Sequence, residues 1–333
     1  MFLRCLLVFI ALVPHTAFTA DEVNIYSYRQ PYLIQPLLQA FEQETGIKAN
    51  LVYAKQGLIE RLQREARNSP ADLLLTADIG RLLDMKDAGL SQAVQSDVLS
   101  KNISQHFRDT ESHWFGLTSR ARIIVASKQR VQDHPASYED LANAEWQGRI
   151  CTRSGKHDYM VALIAAMITH HGPDDARAWL SGVKNNLARK PQGNDRAQVK
   201  AIHQGECDIA VINHYYMALM LSDPEQTEWA NAVNIIFPNQ ADRGAHMNVS
   251  GIALTNHAPN RDHAIRLMEF LSEQTAQKIY AKENSEYPVN EKVAWSDLLE
   301  SWGEFKIDQV NLSEVAKHRA DAVKLVDITG YDN

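Results

Sequence analysis

The sequence predicts an α/β protein of two lobes, with parallel-rich sheets flanked by helices and a chain that crosses between the lobes twice. Three observations predict it. β-branched, apolar runs alternate with amphipathic helical stretches over residues 23–89, the pattern of parallel strands joined by right-handed crossovers. The same alternation returns over residues 148–213. Two further strand-like segments, RARIIVASK (120–128) between the halves and MNVSGIALT (247–255) after the second, are too apolar for surface linkers. At 333 residues, the chain also exceeds one domain of typical size.

Taken in order, the elements begin after a separate segment. Arg4 precedes an apolar stretch, Cys5 to Val13, followed by Pro14 and the small-residue run TAFTA. That order of charge, apolar core and small residues marks a secretory signal peptide over 1–20, so a periplasmic location is expected. The apolar run is too short for a membrane-spanning helix. Cleavage is expected near Ala20, although Phe18 stands where a small residue is usual. VNIYSY (23–28) is then a strand. LIQPLLQAFEQETG (33–46) is a helix that starts near residue 33 or 34, because Pro36 suits only a first turn, and Gly46 stops it. Strand 47–54, helix 57–68, strand 71–77 and helix 79–89 follow. The second half reads as strand GRICT (148–152), helices over 159–172, 174–183 and 195–205, and strand CDIAVIN (207–213). A helix at 261–274 follows the second linking strand. The expected lobes are 21–120 with 249–300, and 121–248; helices in 301–333 pack across both.

Composition narrows the function. The chain is 45% apolar, with 34 Lys and Arg against 41 Asp and Glu, a formal charge of −7. No basic run is present, which excludes a phosphate-backbone partner and so a nucleic acid. Cys151 and Cys207 follow the signal segment. With Cys151 late in its strand and Cys207 just before the neighbouring one, level parallel strands would offset them by about three residues, roughly 10 Å. A disulfide needs Cα atoms within about 7 Å, so two buried free thiols are expected.

Catalytic signatures are absent: there is no GxSxG, GxGxxG, phosphate-loop lysine motif or HExxH. Ligands of open α/β sheets bind beyond the carboxyl ends of strands. Three loops at such ends each carry tyrosine. CDIAVIN ends in Asn213-His214-Tyr215-Tyr216, GRICT leads to Arg153-Ser154-Gly155-Lys156-His157-Asp158-Tyr159, and the first strand leads to Arg29-Gln30-Pro31-Tyr32. Such tyrosines suit aromatic packing or a sugar platform. They also suit a hard trivalent cation, because Fe3+ prefers anionic oxygen donors and phenolate is one. Tyrosine titrates near pKa ~10, so the metal must displace the proton. Arg29, Arg120 or Arg122 would balance excess charge or hold an anion, and Ser154 and Gly155 precede a helix whose free N–H groups favour one. His157 and His214 raise a divalent-metal alternative, but His157-x-Tyr159 matches no zinc spacing.

With these residues in place, the chain resembles the periplasmic ferric-iron-binding proteins of ABC importers, a branch of the bilobal substrate-binding proteins. The resemblance covers essentially everything after residue 20. It runs almost continuously through VNIYSYRQPYLIQPLLQAFEQETGIKANLVYAKQGLIERLQREARNSPADLLLTADIGRL. SRARIIVASK, YEDLANAEWQGRI, INHYY and DRGAHMNVSGIAL then follow in family order. NSPADLLLT alone is weak; the ordered set with the Tyr-Tyr pair is specific. The resemblance implies Tyr215 and Tyr216 as paired iron ligands and Tyr159 as the third, as in the tyrosine-rich subgroup. Gln30 and Pro31 replace a His or Tyr that some members use. Tyr32 therefore reaches the metal only if Pro31 reshapes the turn, and Tyr28 is a poorer candidate. Ala77 stands where another subgroup has a glutamate ligand. Asn213 and Ser154 match anion-holding positions, with Arg120 or Arg122 to neutralise the anion, carbonate for example.

The implied protein is not an enzyme. It is a monomeric carrier, not embedded in the membrane, that closes its lobes on Fe3+ about strands near 120–127 and 247–254 and delivers it to an inner-membrane ABC permease. Two alternatives stand beside it: a binding protein for another anion or small solute, with the tyrosines as an aromatic wall, and an exported metal-dependent hydrolase.

Overall fold

The computed structural model describes residues 21–333; the expected signal segment lies outside the described residues. The chain opens with strand β1 (Glu22–Ser27), helix α1 (Pro31–Thr45), β2 (Lys48–Tyr53), α2 (Leu58–Glu65), β3 (Leu73–Thr76) and α3 (Ile79–Asp87). A short α4 (Asp97–Asn102) leads into the long β4 (Phe115–Ser127). The second half holds β5 (Ile150–Cys151), α5 (Asp158–Asn185), α6 (Asp195–His203), β6 (Ile209–Asn213), α7 (Tyr215–Leu221), α8 (Thr227–Asn231) and β7 (Val233–Ile236). The chain returns through β8 (Met247–Leu254) to α9 (Arg261–Ser272), α10 (Gln274–Glu283) and β9 (Tyr287–Pro288). It continues with α11 (Asp297–Ser301), α12 (Leu312–Lys317) and α13 (Arg319–Thr329). Among the described residues, no helix is long and apolar enough to cross a membrane.

Strands follow the order β2-β1-β3-β8-β4-β6-β5, with β7 and β9 also paired to β4. β1 runs parallel to β2 and β3, and β5 parallel to β6, as their helical crossovers require. The returning β8 and the long β4 are antiparallel to their neighbours, so the sheet is mixed. β4 is buried along its whole length. Its residues Phe115–Ala121 pair with β8 and Arg122–Ala126 with β6, so one strand passes from one sheet region to the next at Ala121–Arg122. Two hydrophobic clusters form the core, the first of them spanning both regions. One contains Ile79, Leu82 and Met85 of α3; the other contains Met160, Ile164 and Ile168 of α5 with Leu325 and Val326 of α13. α12 lies against both α3 and α5, and α13 against α5.

Several local readings change. α1 starts at Pro31, which takes the first helical position and leaves Pro36 inside the helix. An N–H missing at N1 costs nothing. At Pro36 the lost bond falls on the Tyr32 carbonyl, in the first turn. β4 starts five residues before the expected boundary, because FGLTS is buried in the same strand. α5 contains the two expected helical segments, which meet at Gly172 (φ 81°, ψ 168°). β5 forms the last strand in the order, beside β6. Cys151 and Cys207 form a disulfide with Cα atoms 5.9 Å apart, overturning the two free thiols. The expected register holds, since Cys151 pairs with Ala210. Cys207, however, precedes the strand just after the turn at Gln204–Gly205 (Gly205 φ 80°) that ends α6. The turn folds it back beside β5 instead of extending it along the sheet.

Candidate metal site

The tyrosine pair does not sit in a loop. β6 ends at Asn213, and Tyr215 and Tyr216 are the first two residues of α7, so the sheet's carboxyl edge and a helix start fix their direction. Their rings face each other with centroids 4.3 Å apart and planes 31° apart. Tyr159 enters from the first turn of α5, where His157 Nδ1 accepts its backbone N–H at 3.2 Å and caps the helix. The phenol oxygens of Tyr159 and Tyr215 meet at 3.2 Å. All three tyrosines are half-buried. Burial pushes the Tyr215 phenol well above its ordinary value, with Tyr159 and Tyr216 adding to the rise and Arg120 opposing it. Burial also raises Tyr216, followed by Tyr159 and Asp195, while Arg153 opposes.

Arginines surround this cluster. The guanidinium carbons of Arg120 and Arg122 each lie 6.0 Å from the centre of the Tyr159 ring, and that of Arg153 lies 5.2 Å away. Arg122 and Arg153 donate to opposite oxygens of Asp195, at 2.9 and 3.0 Å, and the Asn213 N–H donates to the same carboxylate at 2.9 Å. Arg122 also donates to Asn213 Oδ1 at 3.2 Å. Arg120 donates to the carbonyl of Ala77 and stands 3.8 Å from Glu286. Glu286 is paired to Arg29 at 2.7 Å, which commits Arg29 to the core. Four buried guanidiniums (29, 120, 122 and 153) thus face two buried carboxylates (195 and 286), an excess of two positive charges. Nε of Arg120, Arg122 and Arg153, Nη2 of Arg122 and Nδ2 of Asn213 are buried with no hydrogen-bond partner among the described residues. Buried donors of this kind ordinarily have partners.

Other expected residues are placed differently. Ser154 Oγ donates to Asp332 at 2.6 Å and the Gly155 N–H donates to the same carboxylate at 2.8 Å, so the chain's own Asp332 fills the nest before α5. Tyr32 is 68% exposed in the first turn of α1, in contrast to the trio. His214 is fully buried; its Nδ1 accepts from the Ala121 N–H at 3.1 Å and its Nε2 faces the Ser285 carbonyl at 2.9 Å. Both ring nitrogens are therefore engaged, and burial depresses its pKa to about 4. Among the described residues, no three His, Cys, Asp or Glu side chains gather as a metal would require.

The model of bacterial extracellular solute-binding proteins matches residues 68–307. The chain belongs to that family. Over 315 residues, this solute-binding protein is 41% identical to iron uptake protein A1 of Synechocystis sp., covering 93% of this chain and 88% of the relative. The solved ferric iron-binding protein A of Mannheimia haemolytica, in an open conformation, superposes with a TM-score of 0.91 at 50% identity, covering 94% of this chain and 100% of that one. A Trichodesmium protein (IdiA, FutA) in complex with iron and citrate ligands superposes with a TM-score of 0.90 at 42% identity, covering 93% and 99%. The fold is the two-lobed architecture of these relatives, which are named for uptake or binding. Like them, this solute-binding protein is a transport component and not an enzyme. Asp195 and Arg153 are residues of the candidate site to which the sequence assigns no role. Arg153 stands in the loop that leads to Tyr159, whereas the only local sign of Asp195 is an acidic residue at a helix start.

Proposed function

We propose that this solute-binding protein carries Fe3+ in the periplasm and delivers it to an inner-membrane ABC permease, holding the ion on the phenolates of Tyr159, Tyr215 and Tyr216. One observation carries the reading: the Tyr159 and Tyr215 oxygens stand 3.2 Å apart inside a ring of guanidiniums. Donors at ~2.0–2.1 Å from a small octahedral ion stand about 3 Å from one another, so the two phenols already have the spacing of neighbouring ligands. Family membership and the iron-named relatives support the same cargo.

Charge favours an accompanying anion. Three phenolates neutralise Fe3+, which leaves the two positive charges of the arginine ring. A divalent anion such as carbonate offsets them, accepting from Arg120, Arg122, Arg153 and Asn213, whose free donors are already buried at the site. Ser154 acts through Asp332, which fixes the start of α5. The lobes 21–120 with 249–300, and 121–248, close over the ion about β4 and β8. Closure follows only from the ion's higher affinity for the closed form.

The phenols of Tyr215 and Tyr216 are held protonated by burial. Iron therefore displaces protons on binding, and affinity climbs by about one decade per pH unit for each phenol deprotonated. Titration calorimetry of iron-stripped protein with ferric citrate, in two buffers of different ionisation enthalpy, tests this. One equivalent bound with net proton release is expected. Binding without proton release, unchanged in Tyr215→Phe, would instead identify a carrier of another anion or small solute. Tyr32→Phe in the same assay reads whether the exposed fourth tyrosine joins on closure.

A further inference from the structure

Arg319, the first residue of α13, lies between two helix starts that belong to different hydrophobic clusters. Its Nη1 is 3.6 Å from Asp78, the residue that caps α3 by accepting the Gly80 N–H. Its Nη2 is 3.6 Å from Asp158, the first residue of α5 and the neighbour of Tyr159. Asp84 on α3 also faces the guanidinium. Both distances exceed a hydrogen bond, and Nη1 is buried with no hydrogen-bond partner among the described residues. The guanidinium is held by charge and by shape. It lies against the α-carbon of Gly80, where any Cβ would fall inside it. Gly80 is not required by its backbone angles, which are those of an ordinary helix residue. A glycine in a helix costs about 1 kcal/mol relative to alanine, so the close approach of Arg319 is the feature that uses it.

The geometry points to Arg319 as an interlobe clasp, a positioning residue that holds the α3 and α5 starts together and thereby keeps Tyr159 over the iron site. Asp78 and Asp158 repel across this junction without it. With it, two carboxylates share one cation, and the junction reaches the site through the single peptide bond between Asp158 and Tyr159. The contact persists only while the α3 and α5 starts adjoin, so it adds selectively to the arrangement seen here, in which they do. The inference rests on Tyr159 being an iron ligand, as proposed above.

The test loads wild type, Arg319→Ala, Arg319→Lys and Gly80→Ala with ferric citrate. It then follows loss of the phenolate-to-iron absorption band to a competing chelator, at low and high salt. Arg319→Ala should keep the band position, because the ligands are intact, yet release iron about three- to tenfold faster. Arg319→Lys should restore part of the difference. Gly80→Ala raises helix propensity, so a purely structural role predicts unchanged release from a more stable protein; the clasp predicts faster release. Wild-type release should accelerate with salt, and that of Arg319→Ala should accelerate less. Equal release rates and equal salt dependence across the set would overturn the clasp. Small-angle scattering of the ligand-free proteins separates this result from failure of the iron reading. If wild type shows no band at all, the clasp still requires Arg319→Ala to have the larger radius of gyration, and equal radii would reject it.

Discussion

Asp195 shows how a single side chain sets the state of its neighbours. Fully buried at the start of α6, it receives Arg122, Arg153 and the Asn213 N–H, and so orients two of the three guanidiniums around Tyr159. Removing one partner of a buried ion pair leaves uncompensated charge, which costs about 3–5 kcal/mol. Asp195→Asn should therefore lower the unfolding free energy by about 3 kcal/mol in denaturant titrations. It should also weaken iron by roughly 10–100-fold in chelator competition, the usual effect of losing a group that supports the ligands. Tyr215→Phe should cost more than that, since it removes a proposed donor. These two residues differ in how far the sequence reveals them. Tyr215 and Tyr216 announce themselves because they are adjacent and follow a strand. Asp195 meets its partners 73 and 42 residues away, and nothing local distinguishes it from any acidic residue opening a helix.

The elements carry constraints that sequence periodicity does not resolve. The order of strands and helices through residue 89 was legible because each crossover repeats one pattern. The disulfide was not, because its formation depends on a turn at Gly205 rather than on strand register. That bond links residues 56 apart and joins the strands leading to Tyr159 and to the Tyr215 pair. Replacing both Cys151 and Cys207 by serine should lower stability by about 4 kcal/mol on the chain-entropy account, read from denaturation midpoints. A second element-level consequence concerns His246, just before β8. It is buried, both ring nitrogens lack hydrogen-bond partners among the described residues, and Asp308, Arg122, His170 and Arg243 surround it. Burial holds its pKa down at about 4. The unfolded chain takes up that proton near pH 6.5, so this contribution is complete above pH 6.5 and is lost as pH falls toward 4. In His246→Phe, the acid-induced loss of unfolding free energy across that window should shrink by on the order of 2–3 kcal/mol.

At the scale of the molecule, the proposed hard-cation site lies where two sheet regions share strand β4. Asn213 and Arg122 are paired across β4 and β6 at the point where β4 changes partners, so helix α7, which carries Tyr215 and Tyr216, starts beside the crossover itself. On the proposed closure, movement of the regions about β4 and β8 changes access to the tyrosines. Small-angle scattering should show the protein contract when ferric citrate is added. The most direct measurement for the central claim is a visible absorption titration of iron-stripped protein with chelated Fe3+, alongside Tyr159→Phe, Tyr215→Phe and Tyr216→Phe. A phenolate-to-iron charge-transfer band that saturates at one equivalent, and fades in each variant, is the predicted result. A wild-type protein that gains no band, and whose thermal stability iron leaves unchanged, would contradict the tyrosine site.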